Sequence, residues 1–306
     1  MNNKNNMICD LETGICGDAG DDTMEIIDLN PKKTIDLYYV TDPICSHCWA
    51  LEPVLRRFVE QYDQYFQFKT VMGGLLEKWG GGFADVKNGI TGPSDVAEHW
   101  REVGEQSRMP IDGSLWYDDP VQSSFPPSRV FKVVQKHDEH LATVFLRKAR
   151  EAVFAFNKNI GDDKVLIEIV NELGLNGAET VKEANLSSSQ DLLNQDFALA
   201  GKLGARGFPT IIMVNQDNKG VKLVGARTLQ EYANGLKQVM GDKEIQPKPL
   251  PALSSLFENE DLLFSKEIEV LYDLQEDEAD TFVQEGLPLD TYNQKVILGE
   301  TYFERK

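Results

Sequence analysis

The apolar positions of the chain follow two kinds of pattern, one typical of strands and one typical of helices. Residues 34–41 and 66–72 are runs of β-branched and aromatic residues, which is typical of strands. Between them, residues 49–59 carry apolar side chains at helical spacing, after Asp42 and Pro43 interrupt the first run. This order predicts a strand, an amphipathic helix and a second strand.

A long stretch without any strand pattern comes next. Residues 93–201 contain several segments in which apolar side chains recur three and four positions apart, each opened by residues that cap helices. Residues 211–215 and 221–225 are then two short apolar runs joined by a turn, the pattern of a hairpin. We therefore expect an α/β core, formed by residues 33–92 and 202–242, with an inserted all-helical domain.

The two ends of the chain differ from this core. Residues 1–32 are glycine- and aspartate-rich and predict a flexible N-terminal arm. Residues 243–251 are rich in proline, which predicts a stiff, extended linker. Residues 252–306 hold 14 acidic and 4 basic side chains and short apolar segments. They predict a small acidic helical C-terminal extension that is separate from the site and docks a partner or packs on itself.

The overall charge limits the classes of partner. The 306 residues carry a formal net charge of −19 and are 41% hydrophobic, which is enough to bury a core and repels nucleic acid and anionic membranes. The first residues lack the apolar segment of a secretory signal, and no run reaches the about 20 residues of a membrane span. We therefore expect a cytosolic protein, in which cysteines tend to be catalytic, sensing or metal-binding.

The most specific chemistry lies in four consecutive residues, Cys45-Ser46-His47-Cys48. They stand between the first strand and the helix, so this dithiol caps the helix. Unpaired backbone N–H groups and the helix dipole favour a thiolate on Cys45, and a protonated His47 adds to that effect. The sequence therefore predicts a lowered pKa for Cys45, the nucleophile, and a resolving role for the more buried Cys48.

A zinc site is the other interpretation of two cysteines at this spacing, but zinc needs two more ligands. Cys9 and Cys16 are separated by six residues in a polar segment, which is poor geometry for such a site, so no metal is predicted. The role of this second pair stays open among a shuttle or regulatory pair, a labile metal clip and two inert thiols.

A second feature lies far away in the sequence. Gly207-Phe208-Pro209-Thr210 leads into the strand at residue 211, although proline cannot donate to a sheet ladder. Taken alone, it is explained by a trans proline at an edge strand. Together with the strand, the dithiol and the helix, it predicts a cis bond that places Pro209 against the dithiol.

Three segments resemble the signatures of the DsbA/FrnE branch of the thioredoxin superfamily, over about residues 33–242: Asp42-Pro43-Ile44-Cys45-Ser46-His47-Cys48-Trp49, Val71-Met72-Gly73-Gly74-Leu75 and Gly207-Phe208-Pro209-Thr210. More narrowly, residues 42–53 and 265–268 are similar to the cytoplasmic Bacillota group that contains the SpxH (YjbH) adapter, which delivers the regulator Spx to the ClpXP protease. Ser46 departs from the proline usual in DsbA-type proteins. Gly73-Gly74-Leu75 is more typical of FrnE-like oxidoreductases.

The resemblance implies an α/β, thioredoxin-like fold and a site without a cofactor. The catalytic residues that it implies are Cys45, Cys48, His47 and Ser46. The substrate-binding residues that it implies are Phe208, Pro209, Gly207, Trp49, Gly73 and Gly74.

Two functional hypotheses follow. In the first, the chain is a cytosolic thiol-disulfide oxidoreductase or isomerase: Cys45 attacks a protein or small-molecule disulfide and Cys48 resolves the mixed disulfide. In the second, it is an adapter that presents an Spx-like regulator to ClpXP, and the dithiol senses stress or is dispensable. A third class, the kappa transferases and hydroxychromene-carboxylate isomerases, shares the insertion topology but usually has serine at the position of Cys45.

Overall fold

The computed structural model describes residues 9–10, 15–16, 34–80 and 89–306. The chain divides into two units, Met1–Lys33 and Thr34–Lys306. In the first unit, the described backbone forms strands β1 (Cys9–Asp10) and β2 (Ile15–Cys16), which pair antiparallel with Cys9 opposite Cys16. The remainder of the predicted flexible arm, residues 1–32, lies outside the described residues.

The second unit is built around a mixed four-stranded sheet. Its strands are β3 (Ile35–Thr41), β4 (Phe66–Met72), β5 (Thr210–Asn215) and β6 (Gly220–Val224), in the order β4-β3-β5-β6. β3 pairs parallel with β4 and antiparallel with β5, which pairs antiparallel with β6. β3 and β4 are joined by helix α1 (Ser46–Tyr62), as the alternation of strand and helix patterns predicts.

Helices cover both faces of this sheet. The alternate side chains Ile35, Leu37 and Tyr39 of β3 share one core with Leu55 and Phe58 of α1 and with helix α9 (Leu229–Val239). Val40 faces the other way and packs with Ala200. The period-two pattern of β3 therefore serves two buried faces, because helices lie on each side.

The predicted helical insert separates β4 from β5. Its helices are α2 (Pro93–Ser107), α3 (Leu115–Asp118), α4 (Phe125–His137), α5 (Glu139–Arg150), α6 (Asp163–Glu172), α7 (Gly177–Ala184) and α8 (Ser187–Lys202). A π-helical turn, Glu151–Ala155, directly follows α5. Trp100, Phe131, Phe145 and Phe154 are fully buried in the core of the insert.

The C-terminal extension contains a sheet as well as helices, which corrects the prediction of a purely helical tail. Its elements are α10 (Leu253–Asn259), β7 (Leu262–Phe264), α11 (Ser265–Tyr272), α12 (Glu278–Gly286), β8 (Tyr292–Ile297) and β9 (Glu300–Arg305), with the strands in the order β7-β9-β8. Leu298 and Gly299 connect β8 and β9 with positive φ angles of 51° and 86°. Leucine is not among the residues that usually mark such a turn, so the hairpin has no clear sequence signal.

The extension also packs on the core and is not a separate appendage. Phe264 is completely buried, and its ring centroid lies 5.7 Å from that of Trp49 in α1. Arg108 at the end of α2 forms ion pairs of 2.8 Å with Glu269 and 3.1 Å with Glu300. The predicted linker lies against the end of α1, where the Lys248 backbone N–H donates to the Gln61 carbonyl at 2.7 Å.

No helix in residues 34–80 and 89–306 is long and apolar enough to cross a membrane.

We predict that Phe264→Ala lowers the free energy of unfolding of the whole second unit by about 3–5 kcal/mol, because it leaves a cavity between the extension and α1. Leu289→Ala, in the same extension, is the matched control: Leu289 is 71% exposed, so the expected change is within about 0.5 kcal/mol. Urea unfolding followed by circular dichroism measures both. An extension that unfolds separately, with the rest unaffected by Phe264→Ala, would contradict this integration.

Candidate functional site

The dithiol lies at the start of α1, as the sequence predicts. Cys45 is the N-cap residue, with extended backbone angles of φ −82° and ψ 107°. Its Sγ accepts a hydrogen bond from the Cys48 backbone N–H at 3.3 Å. The Cys45 sulfur thus takes the place of the oxygen of an ordinary capping side chain and contacts the positive end of the helix.

The four residues of the motif differ in their access to solvent. Cys45 is 6% exposed and Cys48 is fully buried, and both belong to the core between β3 and α1. Ser46 is buried too, whereas His47 is exposed and its ring centroid lies 5.2 Å from that of His99 in α2. Of the two sulfurs, that of Cys45 therefore lies closer to an approaching reactant.

Burial reverses the predicted order of the two thiol pKa values. Burial is the largest effect at Cys45 and raises its pKa well above the usual value for a thiol; the neighbouring Cys48 adds to it. At Cys48 burial acts in the same direction, but the hydrogen bond from Cys45, the charge of Arg150 and the Thr41 hydroxyl outweigh it and lower the pKa. The prediction of a lowered Cys45 pKa is therefore wrong for the buried, reduced pair, because one N-cap hydrogen bond does not compensate for desolvation.

A buried arginine that the sequence analysis missed lies beside the dithiol. Arg150, at the end of α5, is 1% exposed. Its guanidinium donates to the Thr41 hydroxyl, to the Asp42 carbonyl at 3.2 Å and to the Glu52 carboxylate at 2.6 Å. Glu52 lies four residues after Cys48 on α1, so the insert supplies a cation whose charge acts on both cysteines.

A second arginine joins this layer to the extension. Arg147 forms ion pairs with Glu52 at 2.9 Å, Glu151 at 2.6 Å and Glu267 at 2.6 Å. Glu267 belongs to α11, and its other carboxylate oxygen accepts from the Phe264 backbone N–H at 3.0 Å. Three parts of the chain therefore meet at the Arg147 guanidinium group: helix α1, the insert and the extension.

Trp49 belongs to this layer, and its substrate-binding role stays a prediction. Its ring is completely buried, stacks on Phe154 at 5.8 Å and lies 4.8 Å from the Arg147 guanidinium carbon. Its indole N–H donates to the Pro110 carbonyl at 3.0 Å. The Trp49 ring is therefore enclosed by Phe154, Arg147 and Pro110.

Asp42 anchors the turn before the dithiol. Its carboxylate accepts from the backbone N–H of Leu75 at 2.7 Å and of Ile44 at 3.1 Å, and from the Ser124 hydroxyl at 2.8 Å. Burial raises the pKa of this carboxyl to about 6, against the effect of those hydrogen bonds. Asp42 thereby fixes the Gly73-Gly74-Leu75 segment beside the start of α1.

The predicted proline loop lies against the same segment. The Phe208–Pro209 bond is cis, as predicted. The Phe208 ring packs in the core that contains both dithiol cysteines, and a Cβ at Gly73 would lie only 1.8 Å from that ring. Gly73 is thus required by close packing, and the substrate-binding roles of Gly73, Gly74, Gly207, Phe208 and Pro209 stay predictions.

The described residues include no group of three or more His, Cys, Asp or Glu side chains that could hold a metal ion. The side chains of Cys9 and Cys16 lie outside those residues, so the role of that pair stays open. What the arrangement offers chemically is a dithiol in which the pKa of Cys48 is lowered and the more accessible sulfur belongs to Cys45.

Comparisons with known proteins agree with this fold. A family model described as Thioredoxin matches residues 38–234. Among solved structures, a putative protein disulfide isomerase from Nitrosomonas europaea is similar with a TM-score of 0.56 at 17% identity, over 68% of this chain and 96% of its own. The cytosolic disulfide reductase DsbM from Pseudomonas aeruginosa gives 0.51 at 21% identity, over 67% and 94%. At such identities the likeness concerns the fold, and it confirms the predicted thioredoxin-like class.

Curated relatives match over a larger part of the chain. The ClpXP adapter protein SpxH of Halalkalibacterium halodurans is 29% identical over 282 residues, which is 90% of this chain and 90% of that protein. The ClpXP adapter protein SpxH of Bacillus subtilis is 29% identical over 255 residues, or 82% of each chain. The resemblance to the group that contains SpxH is therefore confirmed.

We predict that Arg150→Met raises the pKa of the Cys48 thiol, because it removes the nearest positive charge, and that Glu52→Gln lowers it, because Arg150 then loses its counter-charge. The ultraviolet absorbance of the thiolate, followed against pH, measures both shifts. Far-ultraviolet circular dichroism verifies that each variant is folded. Shifts of the same sign in the two variants would mean that Arg150 does not set the charge of the dithiol.

Proposed function

Because the chain belongs to the thioredoxin family, we propose that it uses this fold as a protein adapter, which presents a client protein to a ClpXP-type protease, as the SpxH relatives are named for doing. The observation that carries this proposal is how far each likeness extends. The SpxH match covers 90% of the chain. The uncovered remainder is shorter than the 252–306 extension, so the match includes at least part of that extension. The disulfide-acting neighbours match only 67–68% of the chain, yet nearly all of their own length.

The construction of the extension supports the proposal. It is fixed to the thioredoxin-like core through Phe264, Glu267 and Glu269, which are at most 3% exposed. The two thiols of the dithiol are also nearly inaccessible to solvent, with Cys45 6% and Cys48 0% exposed. A rigidly attached second surface suits a protein that holds a client, and such a role does not require reactive thiols. The proposal includes a cytosolic location, protein partners and no role for nucleic acid.

We predict that the purified chain accelerates degradation of an Spx-like regulator by ClpXP, and that the Cys45→Ser/Cys48→Ser variant accelerates it to within about twofold of the same extent. Serine has nearly the volume of cysteine, so the surface is conserved while the thiol chemistry is removed. Loss of the regulator on a denaturing gel over time measures both. No acceleration by the unaltered chain would refute the adapter function. If the unaltered chain accelerates degradation and the folded double variant does not, the dithiol is part of the adapter function.

Thiol-disulfide exchange is the second candidate, and the N-cap position of Cys45 three residues before a second free thiol, Cys48, favours it. In that reaction Cys45 gives up its proton, its sulfur bonds to one sulfur of a substrate disulfide, and the other substrate sulfur leaves and takes up a proton. Cys48 then gives up its proton and displaces the remaining substrate sulfur. The substrate ends with two thiols and the chain with a Cys45–Cys48 disulfide, which an external dithiol must reduce before the next cycle.

We predict that, if exchange occurs, Cys48→Ser traps a mixed disulfide on Cys45 with a model disulfide peptide, whereas Cys45→Ser traps none. The two variants are matched in size and charge and differ only in which sulfur remains. Mass spectrometry of the intact protein without reductant detects the adduct. An adduct on neither variant would rule out exchange through this dithiol, and an adduct on Cys48 alone would reverse the assigned roles.

A further inference from the structure

The charge of this acidic chain is unevenly distributed. Residues 200–243 contain seven basic and three acidic side chains, although the whole chain has a net charge of −19. All seven basic side chains are exposed. They are Lys202, Arg206, Lys219, Lys222, Arg227, Lys237 and Lys243. The region around β5, β6 and α9 is therefore a basic surface on an otherwise acidic protein.

Strand β6 is the edge of the four-stranded sheet at this basic surface. Two backbone bonds fix which of its groups point outward: the Gly225 N–H donates to the Pro209 carbonyl at 2.8 Å, and the Asn215 N–H donates to the Lys219 carbonyl at 2.9 Å. In an antiparallel ladder such bonded pairs alternate with unbonded ones. Lys222 and Val224 are therefore the residues whose N–H and C=O groups face away from β5.

These outward groups are available in the described part of the chain. No strand of residues 34–80 and 89–306 pairs with the outer side of β6. The Val224 carbonyl accepts only a side-chain bond, from Arg227 Nε at 3.0 Å. Val224 itself is 48% exposed, so the edge presents both polar backbone and apolar side chain to solvent.

A groove of about 430 Å³ runs beside this edge, between β6 and α9. Its apolar lining is Val221, Leu223 and Val224. The polar lining residues are Lys222, Arg227, Glu231, Asn234 and Gln238, and Arg227 pairs with Glu231 at 3.5 Å. Gly235 lets α9 approach Leu223 closely, since a Cβ there would lie 3.1 Å from the Leu223 Cδ1. The groove therefore offers apolar contacts along the same direction as the free backbone groups.

The two faces of β6 differ in chemistry. Val221 and Leu223 face α9 and the groove, whereas the Lys222 side chain lies on the other face, where its ammonium donates to the Gly204 carbonyl at 2.9 Å. A strand added to this edge alternates its own side chains between the same two faces. One face would meet apolar side chains and the other would meet lysine.

We propose that the outer edge of β6 binds an extended, acidic segment of a partner protein by strand addition, with apolar residues in the groove and carboxylates beside Lys222 and Arg227. Backbone bonds to an exposed edge supply affinity in this mode, and alternate side chains supply selectivity. The negative charge of the remaining surface directs an acidic segment to this basic region. A second copy of the chain is disfavoured, because pairing two β6 edges would bring Lys222 and Arg227 of both copies together. The inference concerns a surface apart from the dithiol and does not depend on the proposed adapter function.

The test uses the full chain and two blocked six-residue peptides, one of alternating valine and glutamate and one of alternating valine and lysine. Nuclear magnetic resonance of the labelled protein follows the backbone amides during titration. The valine–glutamate peptide is expected to shift the amides of Lys222 and Val224 first, and added salt is expected to weaken it. Shifts centred elsewhere, no shifts, or equal binding of the valine–lysine peptide would overturn the proposal.

Three variants separate edge pairing from general attraction. Lys222→Glu is expected to weaken the valine–glutamate peptide at least about tenfold, whereas Lys182→Glu, the same charge change on an exposed residue of α7, is expected to leave its affinity within about twofold. Val224→Pro removes an outward N–H and keeps the β5 ladder, so it should abolish binding in the folded protein. Equal weakening by the two lysine variants would overturn the site. Dimerisation through β6, detected by sedimentation, would do so as well.

Discussion

The Glu52 carboxylate, shared by two buried guanidinium groups, is the interaction on which the arrangement of this protein depends. One oxygen accepts from Arg150 at 2.6 Å and the other from Arg147 at 2.9 Å. Glu52 belongs to the helix that carries the dithiol, the arginines to the insert, and Glu267 of the extension completes the layer at 2.6 Å from Arg147. Such buried pairs contribute little net stability, since desolvation offsets their attraction. Removing one member leaves an uncompensated charge, so the layer acts by fixing how the three parts of the chain fit together.

The same layer determines the chemistry of the dithiol. A helix N-terminus alone predicts that the charge resides on Cys45, and the N-cap hydrogen bond of 3.3 Å is present. Burial raises the pKa of Cys45, whereas at Cys48 the effect of burial is outweighed by the hydrogen bond from Cys45, the charge of Arg150 and the Thr41 hydroxyl. The more accessible sulfur, that of Cys45, and the sulfur with the lowered pKa, that of Cys48, are therefore different atoms. Any exchange reaction must deprotonate Cys45 against its raised pKa, and the charge of Arg150 links the dithiol to the position of the insert.

Local features of this chain were predictable from its sequence, and tertiary ones were not. The strand before Cys45 and the helix after it follow from local residue patterns, whereas the cis bond at Pro209 was predictable only in combination with the dithiol far away in the sequence. The burial of Arg150 does not follow from such patterns, because a charged residue on a helix normally faces water, and the partners that make its burial tolerable, Glu52, Thr41 and Asp42, are 98, 109 and 108 positions away. Two arginines three positions apart beside an apolar stripe were the available signal. The β8–β9 hairpin was missed because its turn begins with a leucine at positive φ.

The basic edge strand β6 ends beside the proline loop, residues 207–210. Gly225 ends β6 by donating to the Pro209 carbonyl at 2.8 Å, and Phe208, the preceding residue, packs in the core that contains Cys45 and Cys48. Arg206, two residues before Phe208, is exposed and adds a positive charge to this loop. A partner segment on β6 would therefore end beside the loop that flanks the sulfurs. Because the proline loop contacts both the end of β6 and the core around the cysteines, a variant that shifts this loop is expected to alter partner binding at the edge and the reactivity of the thiols.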